Sequence, residues 1–254
     1  MQKTALITAG ARGIGRAIAN QFDAQGYKVC IADIDHDALN RCPAKWHKFL
    51  LDVSDESAVD NLFCNLMQDW NHIDVLCANA GIPGPTAPIE EIELADWRKC
   101  LSTNLDGAFL FTKYVTPIMK QQQNGVCILI SSTAGLYGFM HRAPYVASKW
   151  AIIGLMKTLA IELGPYNIRA NAICPGGVVG DRLDLVIARE ADAKGVSPVE
   201  IQDAYLAGTS LGKRITADDV ANMAIFLASD NAHLVSGQII AIDGNTEHPE
   251  PKFL

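Results

Sequence analysis

The feature that most constrains the fold is the alternation of short apolar segments with amphipathic ones over residues 1–81. Helical periodicity is clear between the predicted strands, for example at residues 55–70. Strands that alternate with helices predict a parallel sheet with right-handed crossovers. Because a 49% hydrophobic chain of this length can fill one large core, we predict an α/β fold: a three-layer, Rossmann-like doubly wound parallel sheet in a single domain, residues 1–254. The first four predicted strands are residues 4–8, 27–33, 46–51 and 73–77.

The rest of the chain continues this pattern with one interruption. Further strands are predicted at residues 126–130, 168–174 and 238–242, and further helices at residues 94–119, 145–163 and 217–228. The helix predicted at 94–119 could be broken near Thr103 and Asn104. Residues 181–214 interrupt the repeat and are interpreted as a mobile cap with helices at 183–193 and 198–206. The tail at 247–251 is predicted to be irregular.

A glycine-rich turn follows the first predicted strand and opens the first predicted helix. Such a turn lets the backbone approach a pyrophosphate closely, and the helix N-terminus offers free N–H groups and a partial positive charge. The sequence therefore predicts a dinucleotide site here. Its residues are Thr8, Gly10, Arg12, Gly13, Ile14 and Gly15.

Asp33, at the end of the second predicted strand, indicates which dinucleotide is preferred. A carboxylate at this position accepts hydrogen bonds from the adenosine ribose hydroxyls and repels a 2′-phosphate. Asp35 and Asp37 add to that repulsion, whereas Arg12 favours the phosphate. We predict NAD (NAD+/NADH) as the preferred cofactor, with NADP as the alternative.

Three polar side chains around residues 132–149 predict a proton-transfer site. The apolar run at 126–130 leads to Ser132, and Pro144 precedes a predicted helix that begins near Tyr145. Tyr145 and Lys149 share one face of that helix. The ammonium favours the phenolate and lowers the phenol pKa from its ordinary value of about 10. Ser132 could hold a substrate oxygen against the phenol.

These motifs resemble those of the short-chain dehydrogenase/reductase family, in its single-domain branch, over nearly the whole chain. The matching elements are the Tyr145-x-x-x-Lys149 pair, the upstream Ser132, the glycine-rich turn and the triplet Asn79-Ala80-Gly81. The chain departs from the family at Ala9, which replaces the first glycine of T-G-x-x-x-G-x-G and is expected to fit if its φ is negative. It departs again at Gly180, where threonine is usual.

The resemblance implies an oxidoreductase that interconverts a secondary alcohol and a ketone with a nicotinamide dinucleotide. Tyr145 is then the acid/base group, Ser132 positions the oxygen, and Lys149 tunes the phenol. Asn104 falls at the family's fourth catalytic position, which holds a water through a local helix distortion. The implied cofactor contacts are Asp33, Ile34, Asp52, Val53, Asn79, Ala80, Gly81, Tyr145, Lys149, Pro175, Gly176 and Val178.

Candidate substrate contacts are Ser132, Thr133, His141, Arg142 and Arg182. Arg182 lies in residues 181–214, which the resemblance implies is the substrate lid. The positive side chains are compatible with an anionic or strongly polar substrate. The alternative is that these charged side chains bind no substrate and form a solvated surface pair at a contact between subunits.

Composition excludes several classes of function. A net charge of −7 provides no basic surface for nucleic acid, and no apolar run reaches the roughly eighteen residues of a membrane span. The seven cysteines show neither C-x-x-C pairs nor histidine partners, so we expect no disulfide and no metal site. The expected lack of disulfides and the absence of a signal-peptide pattern together predict a cytoplasmic location.

Two alternatives to an NAD-dependent dehydrogenase remain. One is an NADP-dependent carbonyl or 3-oxoacyl reductase. The other is a non-enzymatic dinucleotide-binding regulator, which is disfavoured because the serine, tyrosine and lysine are all present. The apolar helices at 98–119 and 145–163 resemble the family's four-helix interface, so we expect a homotetramer acting on a small-molecule alcohol or carbonyl.

Overall fold

The computed structural model describes residues 2–247, and its centre is one seven-stranded, entirely parallel sheet. The strand order is β3-β2-β1-β4-β5-β6-β7, so the direction of strand addition reverses between β1 and β4. Ligands of such sheets bind at the carboxyl ends of the strands beside this reversal. The strands are β1 (Thr4–Thr8), β2 (Lys28–Asp33), β3 (His47–Leu50), β4 (Val75–Ala78), β5 (Gly125–Ile130), β6 (Ile168–Pro175) and β7 (Ile239–Ile242).

Helices cover both faces of the sheet. They are α1 (Gly13–Ala24), α2 (His36–Asn40), α3 (Glu56–Asp69), α4 (Leu94–Leu101), α5 (Gly107–Gln122), α6 (Ala143–Leu163), α7 (Asp181–Lys194), α8 (Pro198–Ala207) and α9 (Ala217–Ala228). The α3, α5 and α6 helices pack on one face, and α1, α2 and α9 pack on the other. The predicted three-layer doubly wound fold in a single domain is confirmed.

The central strands are apolar because both of their faces are covered. In β1, Leu6 faces the core beneath α3 and α5, whereas its neighbours Ala5 and Ile7 face the core beneath α1 and α9. All six residues of β5 are buried as well. These two apolar layers hold the carboxyl ends of β1, β4 and β5 at fixed spacing.

The structure moves several predicted boundaries. The α6 helix begins at Ala143 rather than near Tyr145, with Pro144 inside its first turn. The α2 helix, which the alternation over residues 1–81 implied without bounds, has only five residues. The long helix predicted at 94–119 is α4 and α5 joined by a π-helical turn, Ser102–Asp106. Of the predicted irregular tail at 247–251, only Glu247 lies within the described residues.

The segment that interrupts the repeat carries α7 and α8, and both predicted helices of this segment are present. These two helices have a small apolar core of their own, formed by Ile187, Ala191 and Ile201. Tyr205 packs against that core. The segment therefore packs as a small separate layer over the sheet's carboxyl edge.

Among the residues that the structure describes, no helix combines the length and the apolarity needed to cross a membrane. The same residues contain no group of three or more His, Cys, Asp or Glu side chains that could hold a metal ion.

Candidate active site

The glycine-rich turn between β1 and α1 is packed so tightly at Gly10 and Gly15 that neither position admits a side chain. A Cβ at Gly15 would lie 2.1 Å from the Ala9 carbonyl oxygen, and one at Gly10 would lie 2.5 Å from Ile31. Gly13 has φ +51 and open space around it. Ala9 adopts φ +49, so the condition under which alanine was expected to fit, a negative φ, is not met. The turn takes a left-handed conformation there, which costs alanine more than the glycine it replaces.

Thr8 and the Asn79-Ala80 pair tie the ends of β1 and β4 together. The Thr8 Oγ1 accepts hydrogen bonds from the backbone N–H groups of Asn79 and Ala80, both at 2.9 Å. The Asn79 Nδ2 donates to the Thr8 carbonyl at 3.0 Å. Thr8 is buried, so its side chain fixes the sheet edge on which a ligand would rest.

Asp33 is buried at the end of β2, and its carboxylate orders the surrounding backbone. One oxygen accepts from the Ala11 N–H and the other from the Asp35 N–H, each at 3.0 Å. The neighbouring Ile34 is 68% exposed. Arg12, whose charge favoured a 2′-phosphate, forms an ion pair with Asp35 at 3.1 Å.

Asp52 and Val53 follow β3. The Asp52 carboxylate is exposed and accepts from the Ser54 N–H at 2.9 Å and from the Ser54 hydroxyl at 2.7 Å. Val53 is buried against Gly107, where a Cβ would lie 2.7 Å from the valine side chain. The two residues thus lie on the same sheet edge as Asp33.

Ser132, Tyr145 and Lys149 are brought together by β5 and α6. Lys149 is buried, and its ammonium donates to the Ile130 carbonyl at 2.9 Å. The Ser131 hydroxyl donates to the Lys149 carbonyl at 2.8 Å and ties the helix to the strand. The Lys149 Nζ lies 5.8 Å from the centre of the Tyr145 ring. The predicted proximity of the phenol and the amine is therefore present.

The acidity of this phenol reflects opposing effects. Burial raises the pKa of Tyr145, but the charges of Arg182 and Lys149 and a hydrogen bond with Ser132 lower it, and the pKa ends below its ordinary value. Burial lowers the pKa of Lys149, and Tyr145 acts in the opposite direction. The site therefore favours the phenolate more than water does.

Asn104 is buried inside the π-helical turn that joins α4 and α5. Its Oδ1 accepts from the Ile82 N–H at 2.7 Å, and its Nδ2 donates to the Ile82 carbonyl at 3.1 Å. The same Nδ2 donates to the Ser148 hydroxyl at 2.9 Å. The helix distortion that the resemblance implied is present, and it joins α5 to α6 and to the loop after β4.

The chain after β6 is shaped by glycines. Gly176 donates to the Ile242 carbonyl at 3.0 Å, and a Cβ there would lie 2.8 Å from Ile215. Pro175 is the last residue of β6, and Val178 bridges to Ile215. Gly180 has φ +139 and immediately precedes α7. Threonine, usual in the family, does not readily adopt that conformation, which accounts for the second departure.

Of the candidate substrate residues, Ser132, Arg142 and Arg182 contact or flank the same phenol. Thr133 is buried in a short 3₁₀ turn next to Ser132, and His141 has φ +60. The guanidinium carbons of Arg142 and Arg182 lie 5.0 and 5.7 Å from the Tyr145 ring centre.

Two cavities open between this edge and the helices α7 and α8. The larger has about 660 Å³ of unfilled space and includes Thr133, Gly176, Leu183, Ile187 and Tyr205 in its lining. A smaller one is lined by residues that include Phe139, His141, Arg142 and Glu190.

Comparison with known proteins identifies the family. A family model described as enoyl-(acyl carrier protein) reductase matches residues 8–245. Tropinone reductase-like 2 of Erythroxylum coca is 38% identical, over 99% of this chain and 93% of its own length. The chain belongs to the short-chain dehydrogenase/reductase family. The family resemblance is confirmed, and with it membership of the oxidoreductases.

Solved structures of this fold bind both nicotinamide dinucleotides. NAD+-bound xylitol dehydrogenase has a TM-score of 0.92 and 28% identity, covering 96% of this chain and 98% of that one. ElxO with NADP bound has a TM-score of 0.85 and 30% identity, with the same coverage.

The residues of this short-chain dehydrogenase/reductase fit a nicotinamide dinucleotide. The turn at Gly10 and Gly15 admits no side chain, and the N-terminus of α1 opens next to it. Such a cradle matches a pyrophosphate. Asp33 lies on the adjacent strand, where the adenosine ribose would follow.

Sequence reasoning missed two residues of the site. Ser148 donates to the Tyr145 carbonyl and accepts from Asn104, and a hydroxyl in an otherwise apolar helix was a usable signal. Tyr205 lines both cavities and donates to Glu190 at 2.6 Å. Nothing in the local pattern of α8 singles out Tyr205.

Proposed function

We propose that this protein is an NAD-dependent oxidoreductase that interconverts a secondary alcohol and a ketone, with Tyr145 as the acid/base group. The observation that carries the proposal is a phenol of lowered pKa at the carboxyl edge of the sheet, flanked by Ser132 and Lys149. A proton-transfer group works best when its pKa lies near the operating pH.

In the oxidative direction, Tyr145 takes the proton of the substrate hydroxyl. In the reductive direction, Tyr145 gives the proton back to the substrate oxygen. Ser132 holds the same oxygen by hydrogen bonding. A bound nicotinamide would supply the hydride acceptor for the carbinol carbon, so that the substrate would lose one hydride and one proton and become a ketone. The Lys149 ammonium, which donates a hydrogen bond to the Ile130 carbonyl, stabilises the phenolate. Asn104 completes the proton path from Lys149 towards solvent.

NAD is the proposed cofactor because of Asp33 and Arg12. The Asp33 carboxylate at the end of β2 disfavours a 2′-phosphate. Arg12, the cation that would attract that phosphate, is engaged by Asp35. We assign the adenine end of the cofactor to Ile34, Asp52 and Val53, and the nicotinamide end to Gly81, Pro175, Gly176 and Val178.

The segment 181–214 is proposed as a substrate lid. The α7 and α8 helices cover the larger cavity, and their small core of Ile187, Ala191 and Ile201 lets them move as a unit. Lids of this kind exclude water and commit the substrate.

A reducing compartment such as the cytoplasm is proposed from the cysteines. All seven thiols are unpaired, and six of them are buried. Disulfides form and persist in oxidising compartments, where so many free cysteines are unusual.

The cofactor proposal is tested by titrating NAD and NADP with a panel of neutral secondary alcohols and measuring kcat/KM. Asp33→Asn keeps one acceptor oxygen and removes the charge. Loss of a hydrogen bond to a charged group weakens binding by tenfold or more, so KM for NAD should rise by about tenfold. Asp60→Asn, an exposed carboxylate on α3, serves as the control. Equal or better use of NADP by the unchanged protein would contradict the proposal and favour an NADP-dependent carbonyl reductase.

A further inference from the structure

Three positively charged side chains surround the Tyr145 ring. The Arg142 and Arg182 guanidinium carbons lie 5.0 and 5.7 Å from its centre, and the Lys149 Nζ lies at 5.8 Å. Lys149 stabilises the phenolate in the proposed proton transfer. The two arginines also lower the pKa of the phenol, but that transfer gives neither guanidinium group a bond to the substrate. Like charges close together repel each other strongly where burial removes water. Arg182 is exposed, so water screens part of this repulsion, and a phenolate at Tyr145 would balance one of the three charges. A net positive charge would remain beside the phenol, and a further anion would balance it.

The described residues 2–247 do not provide that anion as an ion-pair partner. The Arg142 Nη2 donates to the Pro83 carbonyl and the Arg182 Nη1 donates to the Gly81 carbonyl, each at 3.1 Å. Both acceptors are neutral. Glu190, whose charge acts on Arg142, accepts from Lys194 at 2.7 Å and from Tyr205 at 2.6 Å.

Arg142 keeps an unused donor. Its Nε is buried and has no hydrogen-bond partner in the part of the chain that the structure describes. Burial lowers the pKa of Arg142, and Arg182 acts in the same direction, while Tyr145, Tyr205 and Glu190 act against it. A buried N–H group normally finds an acceptor, so this donor indicates an acceptor outside the described residues.

Backbone strain lies next to Arg142, at His141, and a helix dipole opposes the charge of Arg182. Arg142 follows His141, which has φ +60 and whose carbonyl accepts from the Ala87 N–H at 3.0 Å. Arg182 lies in the first turn of α7, where a cation opposes the helix dipole. Strained positions that a fold retains are frequent at ligand-binding sites.

We propose that Arg142 and Arg182 bind an anionic group of the substrate, a carboxylate or another small oxyanion, close to the carbon that reacts at Tyr145. The guanidinium fork matches a planar or tetrahedral oxyanion with paired hydrogen bonds. Because both guanidinium groups lie beside the phenol, only a short chain separates the anion from the reacting carbon. The inference rests on the proposed function, since it takes Tyr145 as the group that contacts the reacting oxygen.

Four probes with one common alcohol test the proposal. Racemic 3-hydroxybutyrate, 2-hydroxypropane-1-sulfonate and 2-hydroxypropyl phosphate differ from neutral 3-hydroxybutyramide only at the group beyond the methylene. Values of kcat and KM are measured with NAD and with NADP for the unchanged protein, Arg182→Gln, Arg142→Gln, Arg142→Lys and Arg189→Gln. Arg189 is an exposed arginine on the same helix as Arg182 and serves as the matched control.

We expect at least one oxyanion to exceed the amide in kcat/KM by about tenfold or more, as a charge-assisted pair provides. The preferred probe identifies the oxyanion. Because Arg182 also lowers the phenol pKa, the two probes are compared as a ratio: Arg182→Gln should lower the ratio of kcat/KM for the oxyanion to kcat/KM for the amide about tenfold, since an effect on the phenol acts on both probes alike. Arg189→Gln should leave this ratio unchanged. Arg142→Lys keeps the charge but not the forked guanidinium, so it should lower kcat/KM for the preferred oxyanion less than Arg142→Gln does. Circular dichroism shows whether both variants fold.

Turnover of the amide as efficient as that of all three anions would overturn the inference and leave the proposed function intact. An unchanged oxyanion preference in Arg182→Gln and Arg142→Lys would overturn it as well. No turnover of any probe, nor of neutral secondary alcohols, with either dinucleotide would contradict the proposed function itself and the inference with it.

Discussion

Tyr145 carries most of the proposed chemistry, and its acidity is the result of a balance. Burial raises the pKa of the phenol, while Arg182, Lys149, a hydrogen bond from Ser132 and the charge of Arg142 lower it. The lowering effects together exceed burial. A phenol in this position can therefore accept a proton at a pH where free tyrosine cannot.

The balance predicts a pH dependence. For oxidation of a neutral secondary alcohol, kcat/KM should rise with pH as Tyr145 loses its proton, with a midpoint below the value of about 10 of free tyrosine. Arg182→Gln removes the largest charge effect that lowers the pKa, so it should move the midpoint to higher pH. Arg189→Gln should leave the profile unchanged. A midpoint at or above that of free tyrosine in the unchanged protein would contradict this account.

Only part of this site could be predicted from the sequence. The closeness of Tyr145 and Lys149 follows from helical spacing, because residues four apart share a face. Arg182 could be named as a candidate, but its distance to Tyr145 depends on how α7 packs over the sheet. The left-handed φ of Ala9 could not be predicted, because the turn's conformation is imposed by the packing of α1 on β1.

Among the structural elements, the turn from β1 to α1 does most to shape the cofactor cradle. The α1 helix approaches the turn so closely at Gly15 that a Cβ would overlap the Ala9 carbonyl and crowd the Asn79 amide. The Asn79 amide in turn ties β4 to β1. Cofactor binding and the alignment of the central strands thus depend on the same contact.

Gly15→Ala should therefore destabilise the protein and weaken dinucleotide binding. Forcing an extra methyl group into a well-packed region costs about 1–3 kcal/mol, which urea denaturation would detect. Gly138→Ala is the control, because a Cβ at this exposed position meets nothing within 4 Å. A Gly15→Ala protein as stable as the Gly138→Ala control would contradict the packing described for this turn.

Element types were easier to predict than element limits. The amphipathic α3 and α9 and the apolar β5 follow directly from periodicity, because each buries a continuous face. The short α2 carries too few residues for a periodic signal. The π-helical turn at 102–106 arises because Asn104 bonds to Ile82 and Ser148, contacts that come from distant parts of the chain.

At the scale of the whole molecule, the chain leaves apolar side chains exposed on two surfaces. On α5 and α6, Phe109, Trp150 and Ile161 are 48%, 50% and 79% exposed. Around α9 and β7, Phe226, Leu234 and Ile239 are 42%, 86% and 38% exposed. A tetramer with perpendicular twofold axes uses two different self-complementary surfaces, and these two are the candidates.

The homotetramer is a prediction that light scattering coupled to size-exclusion chromatography can check. We expect a mass about four times the 27.4 kDa of one chain. Trp150→Glu should reduce that mass, because a charge at the centre of an apolar interface costs several kcal/mol. Val199→Glu, at an exposed position on α8, should not. A monomer in the unchanged protein would refute the tetramer without affecting the assignment of Tyr145.

Removing one oxygen atom tests whether Tyr145 is the acid/base group. In Tyr145→Phe, oxidation of a neutral secondary alcohol is followed by NADH absorbance, and NAD affinity is measured by calorimetry. Because general acid–base catalysis contributes about a hundredfold or more, turnover should fall by at least that factor while NAD still binds. Near-normal turnover in Tyr145→Phe would show that the proton moves through another group and would contradict the account.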